Sequence, residues 1–287
     1  MISFFATASL TVNLMMSLAV GIFGLYRNFE IYMLSLMAIT FFSVFVPSKV
    51  FSLKIQRFKP TVAEEKNEIS LSNNILIIIM GFSGCITINL IVAIISSFFP
   101  AIGGGNADIS ERSDIYAVIF MVISMAVFPA VFEEIGFRGF VMGSLKDFGE
   151  GFAVFFSALI FGMMHEQPSS IMFAFVSGIL FALIYKKTGN ILDTMIVHFM
   201  NNAFAECSVA FSKNVDYEVY AESFLQFSFL MILTFIISVI IVKKRMPDFF
   251  RFSNNSLLTS ADKWKITLSR PMFWLFVIVV IMLAVIY

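Results

Sequence analysis

Charge is scarce in this chain. Asp, Glu, Lys and Arg make up 13% of its 287 residues, against about 25% in an average soluble domain. Proline, cysteine, histidine and tryptophan are also few, at 7, 2, 2 and 2 residues. Each shortage excludes something. A soluble fold must cover its outside with polar groups, and so few cannot hide a chain that is 59% hydrophobic with mean hydropathy +0.92. Two cysteines, Cys85 and Cys207, give neither a disulfide framework nor a thiolate metal site, and both read as buried free thiols in apolar stretches. Basic and acidic residues balance at 19 each, so no net field draws nucleic acid. Intrinsic disorder needs low hydrophobicity and is excluded. An integral membrane protein remains.

What is present is a series of long apolar runs with short charged punctuation. Nine runs stand out: 4–25, 29–47, 74–98, 114–142, 151–164, 170–185, 190–211, 223–242 and 271–287. Most reach the roughly 20 residues that cross a bilayer. Runs 151–164 and 170–185 are short, which suits a tilted, re-entrant or sheltered segment. The expected fold is an all-α polytopic transmembrane bundle of about 8–9 spans around a polar intramembrane cavity. Three stretches divide it, 1–113, 114–211 and 212–287, within one membrane domain. With the N-terminus in the cytoplasm, fifteen basic residues fall inside and three, Arg27, Arg112 and Lys213, fall outside. That asymmetry supports the orientation. The compact chain suits a prokaryotic cell membrane, and the basic cluster at 243–251 suits contact with lipid headgroups.

Small residues recur at four-residue spacing, in the pair Gly139 and Gly143 and in the ladder Ala174, Gly178 and Ala182. Such spacing lets helices approach closely in lipid. The loop at Gly103, Gly104 and Gly105 has no following Lys-Ser or Lys-Thr and reads as a connection, not a phosphate loop.

Ionisable groups inside spans are costly and mark function by default. They gather in three places: Glu133-Glu134 with Arg138 in the fourth run, His165 at the end of the fifth, and His198 with Asn201 and Asn202 in the seventh. Both histidines of the chain are among them. Glu134 and Arg138 are i, i+4 neighbours and can pair along one helix face, while Glu133 points about 100° away. His198 and Asn202 share a face by the same spacing. Pro129, four residues before Glu133, removes a backbone hydrogen bond and is expected to kink the span above the acids.

A carboxylate, two imidazoles and an amide around a wet pocket suggest hydrolysis. One Glu can take a proton from water while a His positions that water. A second His with an Asn amide can donate to a developing oxyanion. No serine or cysteine nucleophile is required. A proton-coupled transporter uses similar groups, but no inverted repeat or matched pair of broken helices is visible. A non-catalytic immunity or regulatory protein is the other alternative.

The three motifs resemble those of the CAAX protease and bacteriocin-processing family, which includes the type II CAAX prenyl endopeptidases. The pattern Glu-Glu-x-x-x-Arg is met by Glu133, Glu134 and Arg138, Phe-x-x-x-His by Phe161 and His165, and His-x-x-x-Asn by His198 and Asn202. The resemblance covers about 114–211, including the turn Tyr185 to Ile191. It implies an intramembrane glutamate-type endopeptidase. Glu133 would be the general base, His165 would bind and orient water, His198 and Asn202 would form the oxyanion hole, and Glu134 and Arg138 would support the site. Neighbouring Asn201 competes with Asn202 for its role. The implied partners are a peptide or prenylated protein substrate and membrane lipid, with no cofactor; zinc is the lesser alternative. His165-Glu166 lacks the second His of a zinc-protease helix motif. Outside the motifs, Asp193 reads as a partner of its own helix N-terminus, Glu206 as solvated near the outer end, and Glu166 as a rim residue.

Overall fold

The computed structural model describes residues 2–55, 69–99, 114–165, 167–253 and 256–286. Arg57, Lys59, Lys66, Arg112, the Gly103–Gly105 loop and Glu166 lie outside the described residues. All nine apolar runs fold as helices, and no strand occurs among the described residues. The elements are α1 (Ile2–Ile22), α2 (Phe29–Thr40), α3 (Val46–Ile55), α4 (Leu71–Phe98), α5 (Ile115–Met121), α6 (Phe128–Glu134), α7 (Glu150–Met163), α8 (Pro168–Thr188), α9 (Ile191–Asn214), α10 (Tyr217–Arg245), α11 (Ser260–Leu268) and α12 (Pro271–Ile286).

Polar residues between the apolar runs start these helices. Asn28, Ser70, Asp114 and Asn190 each accept a hydrogen bond from a backbone N–H of the first turn that follows. Thr259 and Asp262 form a reciprocal capping box on α11. Gly189, at φ 62°, closes α8 in the left-handed conformation that only glycine takes at low cost, and its N–H returns to the Tyr185 carbonyl. The tight turn at 189–190 then sets α9 antiparallel beside α8.

The chain is an integral membrane protein built as an all-α polytopic bundle. Among the described residues, six stretches are long and apolar enough to cross a bilayer: Phe5–Ile22, Phe29–Leu53, Leu71–Phe98, Ile115–Met142, Pro168–Thr188 and Tyr217–Arg245. A seventh is added if α11 and α12, bent by 73° at their junction, act as one broken span. The count falls below nine runs for two physical reasons. α7 has 14 residues, about 21 Å at helical rise, and is too short alone. α9 is long enough but carries Asp193, His198, Asn201, Asn202 and Glu206. Both rely on neighbours: α7 packs on α8, and α9 packs on α4, α8, α6 and the segment 122–127. α11, within what the sequence presents as a cytoplasmic loop, is an additional helix.

α7 and α8 pack closely on one another. A Cβ on Gly162 would sit 3.0 Å from both the Ile171 carbonyl oxygen and the Phe175 nitrogen, and one on Gly178 would sit 2.9 Å from the Phe161 ring. Gly178, in the middle of the Ala174–Gly178–Ala182 ladder, therefore lies in a close-packing seam, and both alanines are buried. Gly139 and Gly143 are not: the nearest atom to a Cβ on Gly139 is 3.8 Å away, and on Gly143 nothing lies within 4 Å. Gly162→Ala should lower unfolding free energy by about 1–3 kcal/mol. Gly143→Ala should be neutral or slightly stabilising. Paired thermal unfolding in detergent checks both. Of the two thiols, Cys85 is buried on α4 as expected, whereas Cys207 is exposed on α9.

Candidate active site

The span that carries the acids is not a uniform α-helix. π-helical turns at Val122–Val127 and Ile135–Met142 flank the seven-residue α6. Such wide turns inside α-helices often occur at functional sites. Ser124 contributes locally by bonding back to the Phe120 carbonyl at 2.8 Å, and Pro129 contributes by withholding an N–H. The result is a continuous span from Ile115 to Met142, with the break taken up by the π turns.

Glu133 and Glu134 end α6. Glu134 and Arg138 form the expected pair, Nε to Oε2 at 3.1 Å, with both side chains 0% exposed. Arg138 Nη2 donates to the Gly178 carbonyl at 3.3 Å. Its guanidinium carbon lies 4.7 Å from the Phe161 ring centre and 5.3 Å from that of Phe181. Two aromatic faces thus help hold a cation removed from water, while Nη1 makes no hydrogen bond among the described residues.

The second Glu134 oxygen, Oε1, lies 3.0 Å from His198 Nδ1. A carboxylate only accepts, so Nδ1 donates and the tautomer is set. His198 Nε2 then faces the other acid, 3.9 Å from Glu133 Oε2. The imidazole stacks on Phe181, with centroids 5.2 Å apart and planes 26° apart, and meets the edge of Phe161. Glu133 retains 19% exposure and is the open acid of the cluster.

His165 lies just past α7, and its Nδ1 is 3.0 Å from the Phe161 carbonyl. That oxygen also only accepts, so Nδ1–H is the donor and Nε2 is left as an acceptor. Phe161 packs on the rings of both histidines. Residues distant in sequence therefore meet around one phenyl ring, with each imidazole tied back through Nδ1.

Asn202 Nδ2 donates to the Met125 carbonyl at 3.1 Å, and its Oδ1 accepts from Asn201 Nδ2 at 3.0 Å. Asn201 is buried on α9. The two amides are coupled to one another, and Asn202 ties α9 to the span that carries the acids. Asp193 is buried in the first turn of α9 and accepts from Asn74 at 3.0 Å and Asn190 at 3.2 Å. It clasps α4 to α9 as well as serving its own helix start. Glu206 lies one turn past Asn202 and is partly buried.

Sequence reasoning missed Phe181, the Gly178 carbonyl, Thr194 and Met125. Thr194 is buried four residues before His198, and its hydroxyl donates to the Ile191 carbonyl at 2.8 Å. Its i−4 spacing is a usable signal. The Met125 carbonyl, inside a π-helical turn, carries no sequence signal. Among the described residues, no three His, Cys, Asp or Glu side chains gather closely enough to hold a metal ion. A cleft of about 490 Å³ lies elsewhere, against the start of α7 and α11, lined by Phe148, Phe152, Phe155, Phe252 and Trp264 among others.

Residues 115–204 match the family described as type II CAAX prenyl endopeptidase Rce1-like. That segment contains all three motifs, so the resemblance they carry is borne out. The curated protein "Putative membrane peptidase YdiL" of Bacillus subtilis (strain 168) is 30% identical over 142 residues, covering 49% of this chain and 57% of that relative. The chain thus spans a little over half the length of the curated relative it matches. No solved structure matches.

Proposed function

We propose that the protein is an intramembrane endopeptidase in which Glu133 activates water. The observation that carries this reading is the division of labour between adjacent acids. Glu134 is committed to Arg138 and His198 and fully buried, whereas Glu133 faces His198 Nε2 and keeps an open side. Water held between Glu133 and His165 Nε2 attacks the peptide carbonyl carbon. One water proton moves to the Glu133 carboxylate as the C–O bond forms. The amide hydrogen of Asn202 not used by Met125 donates to the oxyanion, joined by His198 Nε2 when that atom carries a proton. Collapse breaks the C–N bond, and Glu133 returns its proton to the leaving nitrogen. The products are a carboxylic acid and an amine.

The substrate reading is a peptide near the C-terminus of a prenylated protein, or a leader or bacteriocin-type peptide. The family match supports the prenylated substrate, and similarity to a membrane peptidase of Bacillus subtilis supports peptide hydrolysis. The N-terminus is assigned to the cytoplasm on the distribution of basic residues. No metal or other cofactor is assigned. The test is cleavage of a fluorogenic prenylated CAAX peptide by the detergent-purified chain, with and without chelator, beside the unprenylated peptide. Turnover of the prenylated probe that persists in chelator is expected. Turnover abolished by chelator and restored by zinc would replace the water-activating role of Glu133 with metal chemistry.

A further inference from the structure

Gly178 has no side chain to take part in chemistry, yet two parts of the site bear on it. It lies inside α8 with an ordinary helical backbone, where alanine is the better helix former, so its φ does not call for glycine. Space does. A Cβ here would lie 2.9 Å from Phe161 Cδ1 and 3.3 Å from Cα and Cβ of Ala158. The carbonyl of the same residue accepts from Arg138 Nη2 at 3.3 Å.

Phe161 has little room to yield, with its side chain packed on several sides and only 2% of the residue exposed. Its ring centre lies 5.0 Å from that of Phe137, 5.2 Å from that of His165 and 6.0 Å from that of His198. The guanidinium carbon of Arg138 is 4.7 Å away. A ring pushed from the α8 side therefore presses on both imidazoles and on the partner of Glu134. Close-packed interiors pass such displacements on.

We propose that Gly178 is a positioning residue that acts through Phe161. Its bare Cα sets how deep the ring sits, and the ring sets His165 and His198 together. One contact on α8 thus places an imidazole just past α7 and another on α9. The contact stands on packing geometry; its effect on turnover rests on the hydrolase reading above.

The experiment is a double-mutant cycle on the full chain in detergent, read first without any substrate. Gly178→Ala is paired with Phe161→Val, whose side chain ends at Cγ and leaves no Cδ1 to meet the new Cβ. The chain has two histidines, so histidine-labelled protein gives two imidazole Cε1–H signals by NMR. Gly178→Ala alone should move both signals and lower the unfolding midpoint by about 3–8 °C. In the Phe161→Val background the same change should cost less than half as much and leave both signals in place. A Gly178→Ala chain that folds only when combined with Phe161→Val supports the same conclusion. Equal midpoint costs in the two backgrounds, or histidine signals that stay in place in Gly178→Ala alone, assign Gly178 to helix packing and overturn the proposal. With the fluorogenic prenylated peptide, Gly178→Ala should reduce kcat by about 10-fold to 100-fold with KM within twofold, and unchanged kcat overturns the positioning role. If the wild-type chain cleaves no peptide, the hydrolase reading fails while the cycle and the histidine signals still decide the contact.

Discussion

Glu133→Gln is expected to reduce peptide turnover at least about 1000-fold while leaving the unfolding midpoint within a few degrees of wild type. The amide keeps the shape of the side chain and removes its ability to take a proton. Little stability is at stake, because Glu133 lies 3.9 Å from His198 Nε2, beyond hydrogen-bond distance, and keeps part of its surface open. The adjacent Glu134 cannot substitute. Its oxygens are engaged by Arg138 and by His198 Nδ1, and its side chain is sealed from water. Activity and midpoint measured on one preparation separate this outcome from misfolding. Retained turnover would move the base to another residue.

Arg138→Met is expected to produce the largest loss of stability of any single change in the site, about 3–5 kcal/mol. The substitution roughly preserves volume but strands the Glu134 carboxylate in a place with no access to water. Glu134→Leu alone leaves the guanidinium between two aromatic rings, without its ion-pair partner and held by the Gly178 carbonyl. Changing both together should recover much of the stability, since a buried ion pair replaced by apolar residues is often neutral. It should not recover turnover, because His198 Nδ1 then lacks the acceptor that sets its tautomer. Chemical denaturation in a fixed detergent checks the stability order, and the peptide assay checks the activity order.

Much of the site was legible in the sequence because intramembrane charge is expensive and therefore conspicuous. Glu134 with Arg138 followed from i, i+4 spacing alone. The convergence of His165 and His198 did not follow from spacing; it depends on the α7–α8 seam, where Gly162 and Gly178 bring backbones close enough for Phe161 to touch both rings. Helix starts at Asn28, Ser70, Asp114 and Asn190 carried ordinary capping signals. α11 was not visible among charged residues near 260, although Thr259 and Asp262 spell a capping box. The π turns around α6 were also hidden. Pro129 announces a missing hydrogen bond, but where the helix absorbs it depends on packing against α9. The Gly139–Gly143 pair has the same spacing as the true seam and no close neighbour, so small-residue spacing alone does not locate a helix contact.

The most direct test of water activation by Glu133 is mass analysis of products from a prenylated peptide incubated with the purified wild-type chain and, in parallel, with Glu133→Gln, both in chelator. Two complementary fragments from the wild type and intact peptide from the variant are the predicted result. Equal fragmentation by both proteins would contradict the account.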